Sequence, residues 1–299
     1  MAEARIMPGA PVAAAVLGDV AQRVKALAEM GRSVGLGTIL VGDDPASAGY
    51  IRMKQAKAVD LSIHSSHTQL PGHAAQVDLV AAIRAMNDDP RVDAMLVQHP
   101  VPAGIDYEAA LSEMDPNKDV DGLHPFNMGR LALSMPGPVP CTPAGIEALL
   151  AHYQIPVAGR HVVILGRGTT LGRPLALLLS QKRPTANAAV TVVHSGIPSW
   201  DDYTRQADIV IAAAGVPGIL RPEHVRPGAV VVGGGVRYEG RRLLPDVDES
   251  VAEVAGWITP RVGGVGPTTV AMLFRNTVVA AERRAPASKS GGATAGESG

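Results

Sequence analysis

The segment 162–174 constrains the chain more than any other. Val162-Val163-Ile164-Leu165 is a continuous apolar, largely β-branched run, as in a strand buried on both faces. It breaks at Gly166-Arg167-Gly168-Thr169-Thr170-Leu171-Gly172 and passes straight into an apolar helical stretch over 172–179. A strand that leads at once into a helix predicts a crossover, and hence a parallel sheet. The glycines let backbone approach a pyrophosphate closely, and the helix start offers unpaired N–H groups and the positive end of its dipole. The spacing, G-x-G-x-x-x-G, is one residue longer than the usual dinucleotide fingerprint. Context therefore carries the assignment: a strand before, a helix after, and further strands at 190–193, 209–213 and 229–232.

The N-terminal half alternates in the same way. Val12, Val16, Val20, Val24 and Leu27 recur at helical spacing and predict an amphipathic helix over 11–30. A strand is expected at 36–41, a turn at Gly42-Asp43-Asp44-Pro45, a helix over 46–61, and a strand near Ile63. A helix over 76–86 and a strand at 94–97 follow. Residues 99–143 differ, with prolines at 100, 102, 116, 125, 136, 138, 140 and 143. They read as a loop and connector too long for a simple linker, and such loops usually carry function. A second alternating block starts at Ala144, and a last helix over 266–281 opens at Pro267. With 299 residues, the fold class is α/β in two domains. Each domain is a mostly parallel sheet with flanking helices, the C-terminal one Rossmann-like, with an active-site cleft between them. The first is expected over 1–143 and the second over 144–266. The small, polar stretch 285–299 reads as a disordered tail.

Bulk chemistry excludes several classes. There are 27 basic and 28 acidic residues, so nothing in the overall charge favours nucleic acid or an anionic membrane, and any anion site must be built locally. No segment reaches the roughly 18 uncharged apolar residues of a membrane helix, and the first residues do not read as a signal peptide. One cysteine, Cys141, cannot form an intrachain disulfide and fits a reducing, cytoplasmic setting. Its surroundings, Pro140-Cys141-Thr142-Pro143, hold no activating group and favour a structural role. His64, His67 and His73 have no matching cysteine or carboxylate spacing, so no metal is expected there.

Several residues stand out as chemistry. Ser47, Tyr50 and Lys54 lie on the predicted second helix, with Tyr50 and Lys54 on one face. Gln98 falls at the C-terminal end of a strand, where open α/β sheets bind ligands. The run from Asp115 to Asn127 is acidic, but no register of it puts both glycine and glutamate where a calcium loop needs them. After the second strand of the C-terminal block the chain has His194-Ser195-Gly196, with no carboxylate for a ribose 2′-hydroxyl. Arg167 and Ser195 suit a 2′-phosphate, which favours NADP over NAD.

Together these segments resemble the bifunctional methylenetetrahydrofolate dehydrogenase/methenyltetrahydrofolate cyclohydrolase family. The matching pieces are Pro45-Ala46-Ser47-x-x-Tyr50-Ile51-x-x-Lys54, Val97-Gln98-x-Pro100-x-Pro102 and Lys118-Asp119-Val120-Asp121-Gly122-Leu123-His124-Pro125-x-Asn127-x-Gly129-Arg130-Leu131. Pro140-Cys141-Thr142-Pro143-x-Gly145-Ile146, the Gly166 loop and Gly263-Gly264-Val265-Gly266-Pro267-x-Thr269 complete the set. The resemblance implies Lys54 as catalytic lysine with Tyr50 and Gln98 as partners, and Asp121 as the pterin-binding carboxylate. Tyr50, Pro100, Gly264 and Pro267 match further substrate-binding positions. Gly166, Arg167, Gly168, Gly172, Ser195 and Val236 match cofactor-contact positions. It further implies a homodimer, a last helix (about 267–284) that returns to the first domain, and a role in one-carbon metabolism, feeding purine and amino-acid biosynthesis. The chain departs from the pattern at Gly233-Gly234, at His99 and at Val262.

These implied roles make chemical sense. A pterin presents an amino group beside a ring N–H, and one carboxylate can accept both. Loss of hydride from the methylene carbon leaves a cationic methenyl product, which water then opens to the 10-formyl form. A lysine in a partly closed cleft beside such a cation gives up its proton more readily than one in water, and can serve as general base. A dehydrogenase without the second activity, or a non-catalytic folate- or dinucleotide-binding relative, stays open at this level.

Overall fold

The computed structural model describes residues 3–239 and 242–284; the tail expected at 285–299 lies outside the described residues. Three parallel strands form the first sheet: β2 (Gly35–Val41), flanked by β3 (His64–Leu70) on one side and β4 (Ala94–Val97) on the other. β1 (Arg5–Ile6) precedes them but pairs elsewhere. Helix α1 (Ala10–Glu29) leads into β2, α2 (Pro45–Asp60) joins β2 to β3, and α3 (Gln76–Asp88) joins β3 to β4.

The second sheet has six parallel strands in the order β1, β11 (Trp257–Ile258), β8 (Val230–Gly233), β7 (Ile209–Ala212), β5 (His161–Leu165), β6 (Ala189–Val193). Helices α7 (Gly172–Leu179) and α8 (Asp201–Thr204) follow β5 and β6. β9 (Val236–Glu239) and β10 (Arg242–Pro245) form a separate antiparallel hairpin. The short strand β1 thus carries the N-terminus into the second sheet, beside β11.

The region read as connector holds more helix than expected. α4 (Tyr107–Leu111), α5 (Pro125–Ala132) and α6 (Cys141–His152) all begin within 99–143. Three of the prolines here, Pro125, Pro140 and Pro143, stand at helix starts rather than in loops. Pro125 takes the first turn of α5, where its missing N–H has no partner to lose, and the His124 ring caps the Phe126 amide at 3.0 Å. Asp106 likewise caps α4 through the Ala109 amide.

The last helix, α9 (Val265–Arg284), packs against α6 and α1 and closes the core of the first sheet. Phe274, Met272 and Val278 meet Val20 and Val24 of α1 and Leu36 and Leu40 of β2. Phe274 is fully buried; truncating such a ring to Ala costs about 3–5 kcal/mol. The second sheet is covered on both faces, by Leu175, Leu178 and Leu179 of α7 on one and by Leu220, Val225 and Val251 on the other. Its central strands are therefore apolar beyond His161 at the start of β5, as the 162–165 run predicts.

Each sheet has one place where neighbouring strands send their connections in opposite directions. β2 leads outward to β3 while its neighbour β4 leads the other way; β5 leads to β6 while its neighbour β7 leads to β8. Open α/β sheets bind ligands in the crevice at the carboxyl ends of such a pair.

Candidate active site

At the carboxyl end of β4 the chain turns through Gln98 and His99. The Lys54 ammonium, reaching across from α2, donates to Gln98 Oε1 at 3.0 Å. The Gln98 amide nitrogen donates in turn to the His99 carbonyl at 2.7 Å, which fixes which end of the amide faces Lys54. Lys54 sits on α2, whose start is set by Asp44: its carboxylate accepts from the Ser47 amide at 2.7 Å, with Pro45 in the first turn. Tyr50 lies one turn before Lys54 and is 40% exposed.

Asp121 reaches the same place by a different route. Residues 118–120 add an extra pairing to the outer side of β4: the Met95 amide donates to the Lys118 carbonyl, and the Val120 amide to the Met95 carbonyl. Two buried charges hold this segment. The Lys118 ammonium donates to the carbonyls of Met86, Asn87 and Asp89 and so caps the C-terminal end of α3. The Asp119 carboxylate accepts from the amides of Gly122, Leu123 and His124 and from the Asn127 side chain. Between them they leave Asp121 at the cavity, partly exposed to it yet densely surrounded.

A cavity of about 170 Å³ joins Lys54, Gln98, Tyr107, Asp121, Thr142 and Thr170. Loss of solvent pushes the Asp121 carboxyl up, the Lys54 charge pulls it back, and Asp119 pushes it up again. Tyr107, half-buried with its hydroxyl donating to the Val97 carbonyl and packed edge-on to His99 with ring centres 5.1 Å apart, is also pushed up, mainly by loss of solvent. Burial pushes the Cys141 thiol well up as well. It donates to the Val120 carbonyl at 3.3 Å, so it is a packed thiol and not a thiolate nucleophile.

The glycine loop stands at the carboxyl end of β5. Gly166 is left-handed, with φ of 127°, and a Cβ there would lie 2.1 Å from the Ala213 carbonyl oxygen of the loop after β7. A Cβ on Gly172 would lie 2.3 Å from Gly166 O, so α7 starts directly on the turn. Around Gly168 there is open space, and no side chain caps the α7 N-terminus. Arg167 is exposed and makes no ion pair among the described residues. Open backbone, an uncapped helix start and an unpaired guanidinium together fit a dinucleotide's phosphates. Ser195 is exposed at the end of β6, and Val236, 43% exposed, opens β9. Thr170 of the same loop lines the Lys54 cavity, so the two strand-end crevices adjoin.

The structure therefore brings Lys54, Gln98 and Asp121 together, and gathers Gly166, Arg167, Gly168 and Gly172 in one turn. Pro100 follows His99 through a cis peptide bond. Gly264 packs under Gly9 at the start of α1, and Pro267 lies in the first turn of α9. The α9 residue that lines the cavity is Thr269, hydrogen-bonded to Thr142 at 3.2 Å. Tyr107, Thr142, Thr170 and Thr269 also line the cavity: the three threonines fall within the matching motifs without an assigned role, and Tyr107 lies outside them, because a lone hydroxyl carries no local signal of a site. His64 and His67 are taken up by Ser66 and Thr38. Among the described residues no metal-holding cluster forms, and no helix is long and apolar enough to cross a membrane.

Two family models match the chain. The tetrahydrofolate dehydrogenase/cyclohydrolase catalytic domain matches residues 7–121, and the NAD(P)-binding domain of the same name matches residues 140–285. A curated relative, Bifunctional protein FolD 1 of Salinispora tropica, is 65% identical over 283 residues, covering 95% of this chain and 92% of its own. Among solved structures, the bifunctional FolD methylenetetrahydrofolate dehydrogenase/cyclohydrolase of Campylobacter jejuni superposes with a TM-score of 0.89 at 38% identity, covering 94% of this chain and 99% of its own. The Trypanosoma brucei methylenetetrahydrofolate dehydrogenase-cyclohydrolase, solved with NADP and an inhibitor, gives 0.88 at 37% identity, with 95% and 100% covered.

Proposed function

The chain belongs to the tetrahydrofolate dehydrogenase/cyclohydrolase family, and from that premise we propose how its residues divide the work. The protein oxidises 5,10-methylenetetrahydrofolate to 5,10-methenyltetrahydrofolate with NADP+, then hydrolyses that product to 10-formyltetrahydrofolate. The observation that carries the division of roles is the Lys54–Gln98 hydrogen bond in a cavity shared with Asp121.

Asp121 binds the pterin by accepting its amino and ring N–H groups, two donors for one carboxylate. Those donors favour the ionised form that burial disfavours, so substrate offsets the desolvation of Asp121. When bound, NADP+ supplies the hydride acceptor. The Gly166–Gly172 turn holds the dinucleotide's phosphates, and Arg167 with Ser195 takes the 2′-phosphate. Thr170, on that turn and in the cavity wall, links the turn that would hold the dinucleotide to the folate cavity.

Hydrolysis follows in the same cavity. Gln98 orients the Lys54 nitrogen, and Tyr50 presents its hydroxyl from the same face of α2. In its neutral amine form Lys54 takes a proton from the water that attacks the methenyl carbon; the C–N bond to the ring nitrogen then breaks and that nitrogen is protonated. One water is consumed and one proton released for each cation opened. Pro100, Gly264 and Pro267 contribute backbone around the folate.

We divide the chain into a folate-binding catalytic unit, 1–143 with the returning helix at about 267–284, and a Rossmann-like unit, 144–266, to whose sheet β1 of the first segment adds the edge strand. The protein acts as a cytoplasmic homodimer, which light scattering at micromolar concentration would check. A coupled absorbance assay tests the whole reading. With 5,10-methylenetetrahydrofolate, reduced cofactor should form faster with NADP+ than with NAD+, and methenyl product should decay above its buffer rate. Decay at the buffer rate would remove the assignment of hydrolysis to Lys54.

A further inference from the structure

Asp246, just after β10, is a buried carboxylate to which neither reaction assigns a task. Its side chain is 0% exposed. One oxygen accepts from the Ala214 and Gly215 amides at 2.7 and 2.9 Å; the other is buried without a hydrogen-bond partner among the described residues. No cation pairs with it among the described residues. The Asp246 amide donates to the Gly235 carbonyl at 3.1 Å, and a Cβ on Gly235 would lie 2.0 Å from the carboxylate. One residue therefore joins the two loops: its carboxylate holds the loop after β7, and its backbone amide, with Gly235 packed on the carboxylate, holds the loop after β8. An unpaired buried carboxylate is costly, and burial pushes this one up.

Position explains why it is kept. The loop after β7 carries the Ala213 carbonyl that packs on Gly166, and the Gly234 and Gly235 amides both donate to the Ala212 carbonyl. Gly233 is tied to Thr259 at 2.8 Å, and Leu171 fills the space a side chain at 234 would need. The triple glycine is thus a held loop, shaped around the Asp246 carboxylate and abutting the dinucleotide turn.

We propose that Asp246 is a positioning residue for hydride transfer, fixing the strand-end loops 213–216 and 233–236 against the Gly166 turn and so setting the dinucleotide's seat. This rests on the dehydrogenase reading above. The two activities separate the alternatives, because hydrolysis of supplied methenyltetrahydrofolate needs no dinucleotide. Asp246→Ala should weaken NADP+ binding, measured by calorimetry, and lower dehydrogenase kcat/KM about tenfold or more, from the loss of two buried acceptor contacts. Cyclohydrolase should stay within about twofold, a change too small to signal a lost hydrogen bond. Asp246→Asn keeps an oxygen for both amides and should restore NADP+ binding and dehydrogenase to near the parent. Gly235→Ala, which pushes on the same carboxylate, should reproduce the Ala phenotype if Asp246→Ala folds poorly. Parallel loss of both activities, no loss of either, or an Asn variant as poor as Ala would overturn the proposal. An unmodified enzyme that hydrolyses methenyl but never reduces NADP+ would instead overturn the dehydrogenase reading.

Discussion

At the β2/β4 crevice two opposite charges, Lys54 and Asp121, meet in a cavity of about 170 Å³, whereas the β5/β7 crevice offers exposed backbone and the exposed Arg167 guanidinium, without an ion pair among the described residues. Both lie where strand connections diverge, so topology alone does not separate them. What separates them is how each is held. The first is scaffolded by buried side chains: Asp119 and Lys118 shape the Asp121 loop, and Gln98 orients Lys54. The second is shaped by missing side chains, since Gly166 and Gly172 pack backbone to backbone. Chemistry that moves protons needs desolvated charges at fixed places; a site that grips a phosphate chain needs open N–H groups.

The sharpest way to break this contrast is Lys54→Met. If Lys54 is the general base, cyclohydrolase should fall about 10²- to 10⁴-fold while some dehydrogenase survives. Methenyl decay and reduced-cofactor formation, followed on one sample, report the two separately. Hydrolysis at the parent rate would leave the charged cavity without its principal role.

Gly166→Ala attacks the other site by adding one atom. The new Cβ would sit 2.1 Å from the Ala213 carbonyl at a φ of 127°, so backbone must move. The KM for NADP+ should rise by about 100-fold, from a strain of roughly 1–3 kcal/mol and the lost seat. Cyclohydrolase on supplied methenyltetrahydrofolate should persist. If both activities fall in step, the two crevices are one cooperative unit rather than adjoining sites.

This difference in construction also governs what could be read before the fold was known. The glycine turn is contiguous: strand, loop and helix within 162–179 carry their own period and breaks, and the helix Gly172–Leu179 has the bounds its apolar run predicts. The charged cavity draws on residues from 54 to 269, which no local period connects. Lys54 and Gln98 are 44 positions apart and meet only because α2, packed on β2 and β3, carries Lys54 to the carboxyl end of β4. Ordered motifs brought them together through resemblance, while the scaffold stayed hidden. Asp119 looks like any acid in an acidic run until its amide partners are known, and Thr269 like any helix threonine. The prolines of 99–143 misled because a proline marks a helix start as readily as a loop. Asp246 gave no signal at all, since a carboxylate after a hairpin reads as surface.

Asp121→Asn tests the desolvation half of the comparison, and its two effects have opposite signs. The amide cannot accept both pterin donors and adds a donor of its own, so the KM for methylenetetrahydrofolate should rise about 10- to 100-fold. Folding should gain. The Asp121 carboxyl is pushed up in the fold, so its stabilising contribution is present at acid pH and is lost as pH rises through the folded value. Where it is ionised the side chain opposes folding, and the neutral Asn should keep or raise Tm. The parent's affinity for folate should weaken as pH falls, beginning above the ordinary carboxylate range. A variant that loses both affinity and Tm would mean that Asp121 is chiefly structural.

The smallest effect expected is at Arg167, and it sharpens the contrast most finely. An exposed guanidinium without a partner in the described chain gains little from surface pairing, roughly 0–1 kcal/mol in typical ion pairs. A 2′-phosphate offers a doubly charged, bidentate acceptor, for which charge-assisted hydrogen bonds contribute about 1.5–3 kcal/mol. Exposure argues for the lower end. Arg167→Ala should therefore cut the NADP+ to NAD+ preference in kcat/KM by about tenfold, leave NAD+ turnover nearly unchanged, and blunt the salt sensitivity of NADP+ binding. Equal losses with both dinucleotides would place the guanidinium on the shared pyrophosphate instead. The glycine turn would then recruit charge to the phosphate chain itself, and the second crevice would resemble the first more than its backbone suggests.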